Sequence, residues 1–228
     1  MLTVLLLLPI LGACAFERHD LLYSVDVGSY TYAVRGSNGR VKQVVVKEGD
    51  KVLFAKKVKA DDSVGNMNGT YGLAVADMNF DGRDDVMVAV ETNGDVTAYQ
   101  CFLYSEEKKG YVKDDSLSGL CNIKVDGEMK AIFAFAHTYK IEPAYVDAPE
   151  ASISTDMTTK YVWEEGKLRP DVRASITFYS ESNQYCYSVA YWDSEDQKLG
   201  DSDDDWLTPE EFAKNKENGK YDILYYFK

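Results

Sequence analysis

The stretch that most restricts this chain is Asp77-Met78-Asn79-Phe80-Asp81-Gly82-Arg83-Asp84-Asp85, set between Leu73-Ala74-Val75 and Val86-Met87-Val88-Ala89-Val90. Oxygen side chains stand at alternate positions (Asp77, Asn79, Asp81), Gly82 permits a sharp turn that aims the carbonyl of Arg83 inward, and Asp85 closes the set. A hard cation such as Ca2+ takes about six to eight oxygen ligands, so this run of carboxylate, amide and carbonyl donors predicts a calcium loop. An EF-hand would place a bidentate Glu at the twelfth position and helices on both sides. Here that position is Val88 and the flanks are β-branched and apolar. The expectation is therefore strand, calcium loop, strand, with a structural ion.

Residues 3–11 (TVLLLLPIL) form an apolar run far too short to span a bilayer, and Ala13-Cys14-Ala15 follows it directly. This is the pattern of a secretory signal. Leu11-Gly12-Ala13-Cys14 resembles a bacterial lipobox, which implies a lipoprotein-type signal peptide over 1–13, a lipidated Cys14 and a short tether over 14–20. Cleavage before Phe16 is the alternative. The expected address is export, with a lipid anchor at the cell envelope, on the periplasmic side or the cell surface. In such a compartment disulfides persist, and Cys101, Cys121 and Cys186 remain to form one. The expected pair is Cys101 with Cys121, and Cys101 with Cys186 is the alternative. Metal binding by these thiols is disfavoured, because no C-x-x-C spacing occurs and only His19 and His137 could assist.

The formal charge of −13 argues against nucleic acid and against electrostatic docking to anionic lipid, both of which select basic surfaces. With 17 Tyr and 9 Phe among abundant Val, the composition favours pleated surfaces. Short alternating runs recur between turn signals, among them Asn38-Gly39 and Asn93-Gly94, and each Asn-Gly predicts a hairpin. Val96 to Tyr104 is apolar on both faces, which marks a central strand. Residues 142–156, with Pro143 and Pro149, read as a loop. His137 falls in a strand, with no nucleophile and carboxylate pair nearby to make it catalytic. Asp201, Asp203 and Asp205 imitate the start of a second calcium loop, but Trp206 stands where Gly is required, so a solvated acidic loop is the favoured reading and a weak second metal site the other. Thr208-Pro209-Glu210-Glu211 is a capping box that predicts a short helix from Pro209 to about Lys216, followed by an aromatic strand over 221–227. The predicted fold is mainly β, over 21–228 as one domain. It is an antiparallel hairpin meander, part propeller-like or a sandwich, with one strand–calcium loop–strand unit and a short C-terminal helix.

The block from Leu73 to Val90 resembles the calcium loops of FG-GAP and VCBS β-propeller repeats. With one complete copy, it is most similar to single-domain FG-GAP-like bacterial envelope proteins, the matching positions being Asp77, Asn79, Asp81, Gly82 and Asp85, then Tyr99 to Tyr104, the turn 105–110, and the hairpin 161–168. The resemblance implies a Ca2+-stabilised binding protein of the envelope, not an enzyme. Since some relatives inhibit lysozyme-like hydrolases, it also implies an inhibitor or immunity role toward a basic partner of that kind. Adhesion or binding of glycan or cell wall, with Trp163, Trp192 and Trp206 as aromatic platforms, is the alternative. A hydrolase using Glu164 and Glu165 ranks last, because adjacent strand residues point to opposite faces.

Overall fold

Two-residue turns set the first sheet. Asn38 and Gly39 both have positive φ (51° and 73°), as a type I′ turn requires, and they join β2 (Tyr30–Ser37) to β3 (Arg40–Glu48). With β1 (Asp20–Val27) and β4 (Lys51–Lys57) they make a four-stranded antiparallel sheet in chain order. The computed structural model describes residues 19–142 and 151–221. The expected signal peptide, Cys14 and the final strand beyond Tyr221 lie outside the described residues.

The second sheet repeats the meander with β5 (Leu73–Ala76), β6 (Asp85–Asn93), β7 (Val96–Ser105) and β8 (Gly110–Asp114). Its first connection is the Asp77–Asp85 loop. At the second Asn-Gly, Asn93 pairs with Val96, so the turn is Gly94-Asp95 and only Gly94 takes a positive φ. Asp114 then caps the single turn α1 (Asp115–Ser118), its carboxylate accepting from the Leu117 N–H at 2.8 Å.

The third sheet is larger. It runs β9 (Ile123–Asp126), β10 (Ala131–Glu142), β11 (Ala151–Glu164), β12 (Lys167–Tyr179), β13 (Gln184–Asp193) and β14 (Lys198–Leu199), with β15 (Asp203–Leu207) also paired to β13. The loop predicted over 142–156 is corrected at both ends, because Glu142 belongs to β10 and Ala151 to Asp156 belong to β11 and pair with β10. Their Ser and Thr side chains hid a strand whose ladder bonds come from a partner. Pro170, near the start of β12 and before its pairing with β13 begins at Val172, sits beside a register shift opposite Lys160 and Tyr161, where a missing N–H is tolerated. The capping box forms as predicted: Glu211 N–H donates to Thr208 Oγ1 at 3.3 Å, and Thr208 N–H donates to Glu211 Oε2 at 2.9 Å, opening α2 (Pro209–Glu217).

Over the described residues the protein is thus a mainly antiparallel β meander with one short C-terminal helix and no closed barrel. Its cores alternate with its sheets. Tyr32, Val34, Val44 and Val46 of the first sheet pack with Val86, Val88 and Phe102 of the second. On the opposite face of the second sheet, Met78, Cys101 and Leu117 pack with Ile123 and Ile132 of the third. β7 feeds both, Phe102 to one side and Cys101 to the other, so its two apolar faces have the central role that the sequence predicts. The far face of the third sheet is closed by Phe212 of α2 and by Tyr221, against Ile176 and Tyr187. Replacing Phe102 by Ala is expected to lower unfolding free energy by about 3–5 kcal/mol in urea titrations, the usual range for deleting a buried ring.

Candidate metal centre

The loop's local geometry follows from its residue types. Asp and Asn side chains bond to backbone N–H groups a few residues on, and the loop uses that habit repeatedly. Asp81 N–H lies within reach of both Asp77 Oδ1 (3.1 Å) and Asn79 Oδ1 (3.2 Å), Gly82 N–H donates to Asp77 Oδ2 (2.8 Å), and Arg83 N–H donates to Asp81 Oδ1 (2.8 Å). Asn79 Nδ2 donates to Asp81 Oδ2 at 3.0 Å. Gly82 has φ of 87°, which only glycine adopts without strain. The sequence-predicted donors Asp77, Asn79 and Asp81 are therefore gathered on one exposed turn.

Asp85 is different. It is fully buried, and its two oxygens accept from the backbone N–H groups of Met78 and Tyr104, each at 2.8 Å. Burial pushes its carboxyl up from 3.8 to about 7, against the two backbone hydrogen bonds and with help from the charges of Asp81 and Asp77. The nearby cation, Arg83, turns away from it. Its guanidinium pairs with Glu106 at 2.7 Å and lies 5.5 Å from the centre of the Tyr104 ring. Lys109 shares that same Glu106 at 2.9 Å.

Two further contacts, invisible in the sequence, tie the loop to all three sheets. The Trp163 indole N–H of β11 donates to the Met78 carbonyl at 2.8 Å, and Met78 itself is completely buried. On the other side, the Tyr111 hydroxyl donates to the Asp84 carbonyl at 3.3 Å and meets the Tyr32 hydroxyl of the first sheet at 3.2 Å. Trp163 lies 85 residues from Met78, so only its aromatic type, and not its role, could be read beforehand.

The donor set suits a hard cation. It offers carboxylates, one amide and backbone oxygen, each with lone pairs left after the bonds above. The side chains of Asp77 and Asp81 sit together on the exposed turn, whereas Asp85 is buried. Among the described residues, no three His, Cys, Asp or Glu side chains converge as a ready-made ligand cluster. Ligation here would rely on Asn79 and the Arg83 carbonyl as well as on the acids.

Other expected sites resolve differently. Cys101, Cys121 and Cys186 are free thiols, so neither expected disulfide is formed. Cys121 bridges to Ala98, three positions along β7 from Cys101, and at about 3.3 Å per residue that is roughly 10 Å, beyond disulfide reach. Cys101 lies in the core, where burial pushes its thiol up to about 12. Cys186 belongs to β13, opposite Thr177 and Trp206. Asp203 and Asp205 fall within β15, paired with Val189 and Tyr187, and Asp205 is ion-paired to Lys220 at 2.9 Å. An extended backbone spaces such residues apart where a calcium loop would converge them, and the sequence missed this because alternating Asp disguises a strand. Trp163 is a core donor, the Trp192 ring has the Arg169 guanidinium 5.7 Å from its centre, and Trp206 is 55% exposed with its ring 5.2 Å from that of Tyr179. His137 Nδ1 meets Asp156 Oδ1 across β10 and β11 at 2.6 Å. That carboxylate was hidden from the sequence by 19 residues of separation.

No family model and no curated protein matches the chain. Among solved structures it is similar to a Xanthomonas type IV secretion system related protein, at TM-score 0.53 and 17% identity, over 78% of this chain and 91% of that one. At that identity the likeness concerns the fold.

Two outcomes are expected at the loop. Chelation should lower the melting temperature, and Asp81→Ala should do the same without recovery on adding calcium; differential scanning calorimetry checks both. In chelator, the raised carboxyl of Asp85 makes its protonated form the one that favours the fold. Its contribution is therefore full below about pH 4 and is lost as pH rises through about 7, on the order of 4 kcal/mol in total. Asp85→Asn should flatten that slope in denaturant titrations across the same range.

Proposed function

We propose that the chain is a calcium-stabilised β binding protein of the bacterial cell envelope, exported and lipid-anchored through Cys14, that captures a protein partner. The observation that carries the reading is the placement of the acidic loop. Its backbone and the buried Asp85 join three sheets, so an ion held by Asp77, Asn79, Asp81, the Arg83 carbonyl and Asp85 would rigidify the junction. Such an ion supplies positive charge to a site rich in carboxylates. Chemistry on a substrate would need more than this, and the acids of the loop are already bonded to N–H groups of the loop and, for Asp85, of β7.

A partner is suggested by charge. At −13 the chain complements a basic protein, and that complementarity speeds encounter and suppresses wrong partners. Lysozyme-like, peptidoglycan-cleaving enzymes are basic, and the resemblance to FG-GAP-like envelope proteins points to the same class. The reading is therefore an inhibitor of, or immunity protein to, such a hydrolase. The fold likeness to the secretion-system-related protein adds architecture and no partner. A second reading, adhesion to glycan or cell wall, rests on Trp206, which is exposed beside Tyr179.

Purified protein, with calcium present, should inhibit at least one enzyme in a panel of peptidoglycan hydrolases at micromolar concentration, followed by turbidity loss of cell-wall suspensions. Absence of inhibition across the panel, combined with binding to isolated cell wall that Trp206→Ala abolishes, would replace the inhibitor reading with the adhesion reading.

A further inference from the structure

Beside the acidic loop, where the first two sheets meet, there is a cavity of about 110 Å³ lined by Tyr30, Tyr32, Tyr104, Tyr111, Arg83 and Asp84 among its walls. The rings stand at steep angles to one another. Tyr30 and Tyr32 have centroids 6.5 Å apart at 56°, Tyr32 and Tyr111 6.5 Å apart at 87°, and Tyr104 and Tyr111 5.5 Å apart at 76°. Tilted and edge-to-face contacts of this kind pack the rings on one another, and Tyr32 is only 1% exposed, so the part-buried Tyr30, Tyr104 and Tyr111 supply the accessible aromatic wall. The hydroxyls of Tyr32 and Tyr111 are used inside the protein, on each other and on the Asp84 carbonyl. Burial raises both phenols above their ordinary value, so they stay neutral.

Volume and charge together select the ligand. Pockets for whole small molecules span roughly 300–1,000 Å³, well above this cavity, which instead suits the end of one side chain. Aromatic faces attract cations, and the carboxylate-bearing Asp84 lies in the wall. A guanidinium already rests against one ring of the set, that of Arg83 over Tyr104, with its charge taken up by Glu106. The remaining rings have no cation over them among the described contacts, and the chain as a whole is strongly acidic.

We propose that this tyrosine cleft receives the ammonium or guanidinium group of a single Lys or Arg side chain presented by a basic partner protein. The inference rests on the reading of the chain as a binder of a basic protein, and it names the contact. Because the cleft shares Gly82, Arg83 and Asp84 with the acidic loop, order in the loop also sets the shape of the cleft.

The test uses the calcium-loaded protein with its tyrosine rings isotopically labelled, titrated with acetyl-Gly-Lys-Gly-amide, acetyl-Gly-Arg-Gly-amide and the uncharged acetyl-Gly-Gln-Gly-amide. The expected result is a saturable shift of the Tyr30 and Tyr104 ring resonances with the two cationic peptides, weaker by about fivefold or more for the Gln peptide, in line with a cation–π contribution of about 1 kcal/mol or more. Tyr30→Phe, which keeps the ring face, should bind like the parent. Tyr30→Leu, which also removes a ring packed on the first core, should lose affinity when measured well below its own melting temperature. Equal response to all three peptides, no response, or a Tyr30→Leu protein that binds as tightly as the parent overturns the proposal. The hydrolase panel separates the two levels. Inhibition that Tyr30→Leu leaves intact sinks the cleft and spares the inhibitor reading, whereas peptide binding without any inhibition supports the cleft and sinks the inhibitor reading alone.

Discussion

The carboxylate of Asp85, withdrawn from water and held between the N–H groups of Met78 and Tyr104, is the interaction on which the meeting of the three sheets depends. A buried carboxylate is costly unless its oxygens are bonded. Here each oxygen fixes a different segment, one in the loop and one in β7. The first bond seats Met78 in the core shared with the third sheet, where Trp163 grips its carbonyl. The second aligns Tyr104, whose ring meets Tyr111 and so touches the first sheet through Tyr32. Removing that carboxylate would release both ends of the junction together.

The layered cores explain why one acidic loop has such reach. Each sheet is a meander of consecutive strands, and within a sheet nearly every contact is local. Connections between sheets are few and lie far apart in sequence, as with Phe102 against the first sheet and Ile132 against the second. The loop connects β5 to β6 inside the middle sheet and is placed where both interfaces end. Charge near it is balanced unevenly. Arg83 and Lys109 are spent on Glu106, and Asp77 and Asp81 bond to loop N–H groups, beside a neighbouring surface of tyrosine rings.

Much of this was legible beforehand because it is local. The strands from Asp20 to Asp114, the turn at Asn38-Gly39, the capping box at Thr208 and the central character of β7 all follow from patterns within about ten residues. The gathering of Asp77, Asn79 and Asp81 on one turn was readable for the same reason. What misled was sequence that imitates another local pattern. Alternating Asp over 201–205 read as a solvated acidic loop, with a weak metal site as the other reading, whereas Asp203 to Asp205 lie in β15, and the Ser-rich start of β11 read as loop. The Cys101 and Cys121 pairing rested on nearness in sequence, which a strand converts into distance.

By itself, then, the sequence determined the hairpins, the helix with its cap, the strong acidity and an oxygen-rich turn between two apolar strands, since each depends on propensities and side-chain spacing within one segment. Only the tertiary structure decided that Asp85 faces inward to two backbone donors, that Trp163 and Tyr111 clamp the loop from opposite sides, that His137 stands beside Asp156, and that four tyrosines enclose a cleft. Each of those arrangements depends on contacts between segments far apart in the chain, up to the 85 positions between Met78 and Trp163. The physical reason is that a strand's local pattern says which face is apolar, whereas the partner of that face is chosen by packing among sheets.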